Sequence, residues 1–189
     1  MANVDRPNGF KPLRYLDGSP YNGSFVKMLS PTDNLFIGDF VEPTATGRAS
    51  GDGAYQEVGR AETGDPIVGV VVGFEANPTA LGNLYHAASA TYAVYVAPIG
   101  GLILEGQTNA TGLAAADVGL NVDFVVAAGS TATGASNFEV NDATEATTNT
   151  LDLRIVGLVD RPDNDIASAN MKVLVTVNRD WYANQIAGV

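Results

Sequence analysis

Thr150-Leu-Asp-Leu-Arg-Ile-Val156 and Lys172-Val-Leu-Val-Thr-Val-Asn178 decide the fold class of this chain. In the first stretch Leu151, Leu153 and Ile155 fall on one side, with Asp152 and Arg154 on the other. In the second, Val173, Val175 and Val177 share a side. A two-residue period is that of a strand with one face on a core and the other on solvent. Arg161-Pro-Asp-Asn-Asp165, between them, has the proline and Asx residues of a turn, so the two stretches are predicted to pair antiparallel.

The rest of the chain reads in the same way. Ile67-Val-Gly-Val-Val-Val-Gly-Phe74 is apolar on both faces and β-branched, which predicts a buried strand, with Gly69 and Gly73 on one face for close packing. Tyr92–Ala97, stopping at Pro98, Leu102–Glu105 and Val122–Val126 are further strands. Leu35–Val41 is predicted to be a short strand ended by Pro43. Residues 42–64 read as a loop with a short strand at Ala54–Val58, and residues 129–150 as a long turn with a strand near Phe138–Val140. Thr111–Asp117 predicts one or two helical turns ended by Gly119. No span of ten residues has a helical period, and no repeat of 20–50 residues is visible. The expectation is an all-β protein whose body, residues 31–189, is an antiparallel β-barrel or sandwich. It is either one barrel or two small subdomains divided near Pro98–Gly101.

Residues 1–30 differ from this body. Pro7, Pro12 and Pro20 alternate with Gly9, Gly18 and Gly23, and Phe10, Tyr15 and Tyr21 are spaced among them without apolar period. Proline restricts φ in advance, so the segment is expected to be an extended N-terminal arm that reaches a neighbouring subunit. Its charge supports a separate role. Arg6, Lys11, Arg14 and Lys27 against Asp5 and Asp17 give the arm a net +2, whereas the remaining 159 residues carry 6 basic and 19 acidic side chains. A chain of net charge −11 is repelled by phosphate, which argues against direct nucleic-acid binding. The longest apolar stretch, Ile67–Phe74, is far shorter than a membrane-spanning helix, and no membrane partner is expected. The opening residues lack the apolar core of a signal peptide.

Chemistry-bearing motifs are sparse. Without cysteine there is neither disulfide nor thiolate ligand. His86 is the only histidine, and no nucleophile motif accompanies it. Asp160, Asp163 and Asp165 lack the spacing of a calcium loop and read as a solvated turn. Phosphate-binding glycine motifs are missing, and 21 acidic residues give no specific carboxylate pair. The expectation is a non-catalytic protein without cofactor or metal. Trp181-Tyr182, the one adjacent aromatic pair, is a candidate subunit contact, or a sugar-stacking face if the protein were a carbohydrate-binding β-module.

Three stretches carry a family likeness: Met-Ala-Asn-Val-Asp-Arg-Pro-Asn-Gly-Phe-Lys-Pro at the start, Leu153-Arg-Ile-Val-Gly-Leu-Val-Asp-Arg-Pro-Asp-Asn164, and Val173-Leu-Val-Thr-Val-Asn-Arg-Asp-Trp-Tyr182. Asp117-Val-Gly-Leu-Asn-Val-Asp-Phe and Thr133-Gly-Ala-Ser-Asn-Phe-Glu-Val are compatible with it. With these the chain resembles the head decoration (cement) proteins of tailed bacteriophages. The resemblance implies a homotrimeric virion protein, made in the host cytoplasm, that binds the outside of an assembled capsid and clamps neighbouring major capsid subunits. Arg6, Phe10, Lys11, Arg14, Tyr15, Tyr21 and Lys27 would then be the capsid-binding residues of the arm. Another virion component, a head-fibre base or a tail protein, is the nearest alternative.

Overall fold

The structure, a computed structural model, describes residues 3–50, 53–90 and 92–183, without the side chains of 45, 46 and 48–50. Met1 and Ala2 of the opening motif lie outside the described residues. The strands are β1 (Lys11–Tyr15), β2 (Val26–Leu29), β3 (Phe40–Ser50), β4 (Gly53–Arg60), β5 (Gly69–Phe74) and β6 (Ala93–Pro98). They continue with β7 (Leu102–Gln107), β8 (Asn121–Val125), β9 (Glu139–Ala146), β10 (Leu153–Leu158) and β11 (Lys172–Val177), and Ala115–Asp117 forms one turn of 3-10 helix. The fold is all-β. A closed barrel runs β2-β4-β3-β5-β6, and a six-stranded sheet runs β1-β7-β11-β10-β8-β9.

The stretches that decide the fold form β10 and β11, antiparallel from Leu153 opposite Val177 to Leu158 opposite Val173. Leu153, Ile155, Val173 and Val175 are buried as the alternation requires. Asp152 departs from it and is fully buried. It lies one residue before β10, where its carbonyl accepts the Asn178 and Arg179 amides and its carboxylate meets Arg179.

Two loops of the sequence reading are strands. Residues 42–64 contain most of the β3–β4 hairpin, and β3 runs straight through Pro43. The ladder shifts register between Pro43 and Gly47, so the proline stands at an irregularity where its missing N–H costs little. Residues 129–150 hold the eight-residue β9, paired to β8. The expected face shared by Gly69 and Gly73 is broken by a register shift between Val71 and Gly73.

The described residues up to 30 contain β1 and β2 and are woven into the body. β1 pairs with β7 and β2 closes the barrel against β6. Just before β1 the chain crosses the barrel strand entry at Gly9 (φ +63°) and Gly38 (φ +98°). A Cβ on Gly9 would stand 2.6 Å from the Gly38 carbonyl oxygen, so glycine permits both the left-handed turn and the contact. The Phe10 amide then donates to that carbonyl at 3.0 Å, and the ring enters the core. It stacks on Phe40 at 4.3 Å and meets Phe124 edge-on at 6.5 Å.

Apart from β1, the sheet strands follow Pro98–Gly101 and the barrel strands precede it, and the two sets share one core. The main core joins Phe40, Ile67 and Val70 of the barrel side to Leu104, Phe124, Leu153 and Val175 of the sheet. A smaller cluster, including Met28, Val41, Val58 and Val94, fills the barrel.

The two sets also share one plan. With β1 left out and the strands numbered from one to five within each set, both run 1-5-4-2-3. In both, the first and third strands approach in parallel, at Leu29–Glu57 in the barrel and at Thr108–Val140 just past β7. Registers agree as well. Gly69, Val70, Val71, Gly73 and Phe74 face Pro98, Ala97, Val96, Tyr95 and Val94. Leu153, Arg154, Ile155, Gly157 and Leu158 face Val177, Thr176, Val175, Leu174 and Val173, with the shift at the same place. The two strand sets thus have the same order and matching registers, at a spacing longer than the window in which the sequence shows no repeat.

Candidate functional site

An exposed apolar surface is assembled by three separate pieces of chain near the turn between β6 and β7. β1 ends at Tyr15, and a tight return follows: the Tyr15 amide donates to the Ser19 carbonyl at 2.8 Å and the Tyr21 amide to the Leu13 carbonyl at 3.0 Å. The Leu16 amide binds the Gly101 carbonyl at 2.8 Å, which fixes this return against the turn between β6 and β7. Tyr15 and Tyr21 lie 6.4 Å apart, half-buried, and both hydroxyls reach Ser24, at 3.2 and 2.7 Å. Burial and the neighbouring Tyr15 push the Tyr21 hydroxyl above its ordinary pKa, so it stays a neutral donor.

The third piece is the chain after β11. The Trp181 amide donates to the Ile67 carbonyl at 2.9 Å, and the Tyr182 amide to Asp180 at 2.7 Å. This anchoring brings Tyr182 to a groove of about 270 Å³ shared with Tyr15, Phe25, Val26 and Pro98. Tyr182 (60% exposed) and Phe25 (48%) line it, and Leu16 (61%) and Trp181 (54%) are their exposed neighbours in sequence or in the return after β1. A second groove of about 250 Å³ runs beside Lys11, Pro12, Ile37 and Val72.

The expected site residues therefore separate. Tyr15, Tyr21 and Tyr182 are brought together, and Trp181 is their exposed neighbour. Arg6, Lys11 and Arg14 are exposed along the same leading segment. Lys27 is held by Glu75 at 2.7 Å. Phe10 is 1% exposed, which corrects its place in the capsid-binding set: an apolar ring that can fill its own chain's core does so. Phe25, Val26 and Leu16 are the members that the sequence reading omits. Their signal is Phe25-Val26 directly after the Asn22-Gly23-Ser24 turn, the apolar start of a strand within the supposed arm.

The polar groups elsewhere serve the fold. His86 is fully buried, with Nε2 3.1 Å from the Tyr92 carbonyl, and burial holds its pKa below the ordinary value. Asp163 faces Arg161 at 3.4 Å, and the Asp165 amide and carbonyl both bind Asn3. Among the described residues no three His, Asp or Glu side chains converge as metal ligands. Two buried carboxylates are perturbed. Burial pushes Asp39 up to about 6, against hydrogen bonds from Ser136 and the Phe36 amide. Burial and the nearby Asp123 push Asp152 up to about 7, against the Gly64 amide and Arg179. Asp39, just before β3, is tied to a loop of the sheet side, and Asp152, before β10, to a loop of the barrel side, so each spans the junction.

The chain matches no family model, no curated protein and no solved structure, so its surface is read from its own residues.

Proposed function

We propose that this protein is a non-catalytic virion component of the decoration type, one that binds the outer face of an assembled phage capsid. It would hold neighbouring major capsid subunits together as a homotrimer. The observation that carries the reading is the exposed aromatic end. Leu16, Phe25, Trp181 and Tyr182 present apolar area, and the leading segment adds the exposed basic Arg6, Lys11 and Arg14 to a chain of net −11. Aromatic and arginine side chains are the usual anchors of a protein interface. Three such ends in one trimer bind far more strongly than one, without covalent chemistry. An acidic body is also suited to the outside of a shell packed with DNA.

The test is sedimentation of the protein with capsids that lack it, comparing the native chain with a Leu16→Asp/Tyr182→Ala variant. Loss of two exposed anchors is expected to weaken binding by about tenfold or more, at unchanged melting temperature. Equal binding by both chains sinks the role of this surface. Particles without the protein are further expected to release DNA at a lower temperature than complete ones. The exposed Trp181-Tyr182 pair favours a carbohydrate-binding module as the second reading; glycan-array signal without capsid affinity would put it first.

A further inference from the structure

Asn-Gly occurs twice in this chain, at Asn8-Gly9 and at Asn22-Gly23. The pair is reactive because glycine has no side chain to shield its backbone nitrogen from the preceding carboxamide. Both glycines have positive φ, +63° and +82°, yet their surroundings are opposite. A Cβ on Gly9 would stand 2.5 Å from the Ser136 Cβ and 2.6 Å from the Gly38 carbonyl oxygen, so that peptide unit is clamped. A Cβ on Gly23 would meet nothing within 4 Å, and Asn22, Gly23 and Ser24 are all exposed.

The chain holds both ends of the second pair and leaves its middle open. The Tyr21 amide donates to the Leu13 carbonyl at 3.0 Å, and the Tyr21 hydroxyl to the Ser24 carbonyl at 2.7 Å. Between them the Ser24 amide donates to Asn22 Oδ1 at 3.1 Å, which folds the carboxamide back over the Gly23 peptide and draws electron density from its Cγ. Among the described residues nothing accepts a hydrogen bond from the Gly23 amide. We propose that Asn22 is a site of spontaneous deamidation, at which the chain modifies its own surface. The Gly23 nitrogen loses its proton to solvent and attacks Asn22 Cγ. The new N–Cγ bond displaces Nδ2, which takes up a proton and leaves as ammonia. Water then opens the cyclic imide, at Cγ to give aspartate or at the residue 22 main-chain carbonyl to give isoaspartate. Asp17-Gly18, in the same return, does not compete. Ser19 donates to Asp17 Oδ1 through its amide and its hydroxyl, at 2.8 and 2.6 Å, which holds this carboxyl below its usual pKa and keeps it an anion that repels attack.

Either product puts a negative charge beside Ser24, which lines the groove with Phe25, Val26 and Tyr182. Isoaspartate also lengthens the main chain by one carbon, which pulls Ser24 away from the Tyr15 and Tyr21 hydroxyls it meets at 3.2 and 2.7 Å. The groove thereby changes with the age of the protein. The test incubates the full chain in mildly alkaline buffer and follows it by peptide mass mapping, with an isoaspartate-specific methyltransferase to mark the rearranged product. In the folded protein Asn22 is expected to convert at least about tenfold faster than Asn8, whereas in urea the two rates converge because no local packing restrains either. Gly23→Ala should slow conversion at Asn22 about tenfold or more, since a methyl group then crowds the attacking nitrogen. Three results overturn the proposal: conversion of Asn22 no faster than that of Asn8 in the folded chain, an unchanged rate in Gly23→Ala, or an Asn22 at least about tenfold slower folded than in urea. Capsid binding enters none of these measurements, so failure of the decoration role leaves the site standing.

Discussion

Cutting Phe10 back to alanine removes the ring that Phe40 and Phe124 enclose. A buried aromatic truncated in this way costs about 3–5 kcal/mol, whereas the exposed Tyr182→Ala should change stability by less than about 0.5 kcal/mol. Urea titration of the two variants checks the contrast, and similar midpoints would take Phe10 out of the core. The two side chains could not be told apart in sequence, because each stands among glycine, proline or polar neighbours that set no period. What distinguishes Phe10 is the Gly9–Gly38 crossing, a contact between residues with no local relation. Asp39 and Asp152 make a second residue-scale prediction. Both bind a proton more readily folded, at about 6 and about 7, than at the ordinary 3.8. The native state therefore holds extra protons between pH 4 and 7, and stability falls as pH rises through that window. The melting temperature should be higher at pH 5 than at pH 8, and Asp152→Asn should flatten that slope; an unaltered slope would mean that Asp152 ionises normally.

At the scale of elements, the β5–β6 and β10–β11 pairs hold glycines in two different settings. A Cβ on Gly69 would stand 2.5 Å from the Ala97 carbonyl oxygen, a backbone atom that cannot swing away, whereas one on Gly157 meets nothing nearer than 4.0 Å. Gly69→Ala should cost about 2 kcal/mol or more and Gly157→Ala less than about 1 kcal/mol, measured by thermal unfolding. Equal costs would contradict the close approach of β5 to β6. The strands legible in sequence were β5, apolar on both faces, and β6, β7, β8, β10 and β11, whose apolar residues alternate or run short. β3, β4 and β9 were not legible as long strands. Their outer halves are built from Thr, Ala, Gly and Gln, and they exist because a neighbour offers a ladder of backbone partners. The candidate surface was legible only as its ends, Tyr15, Tyr21, Trp181 and Tyr182. Its middle, Phe25 and Val26, belongs to a strand that the proline-rich context disguised.

For the whole molecule, the shared core sets the expectation that the barrel and the sheet unfold together. A single calorimetric transition, with van't Hoff and calorimetric enthalpies equal, is the predicted result; two resolved transitions would show that each strand set stands alone. A chain starting at Ser30 loses β1, β2 and Phe10 at once, so it should lack that cooperative transition altogether.

The pairing of β1 with β7 also sets an order of events during synthesis. Lys11 finds its partner at Glu105, and Phe10 finds Phe124, residues that follow the last barrel strand. The first strand made thus waits for all the barrel strands and for β7 before it can be seated. Until then Phe10 and the apolar side of the barrel's main-core residues stay uncovered in the nascent chain, open to chaperones and to wrong partners. A ribosome stalled before residue 102 should hold a chain cut readily by protease within residues 10–15, and one released at full length should not.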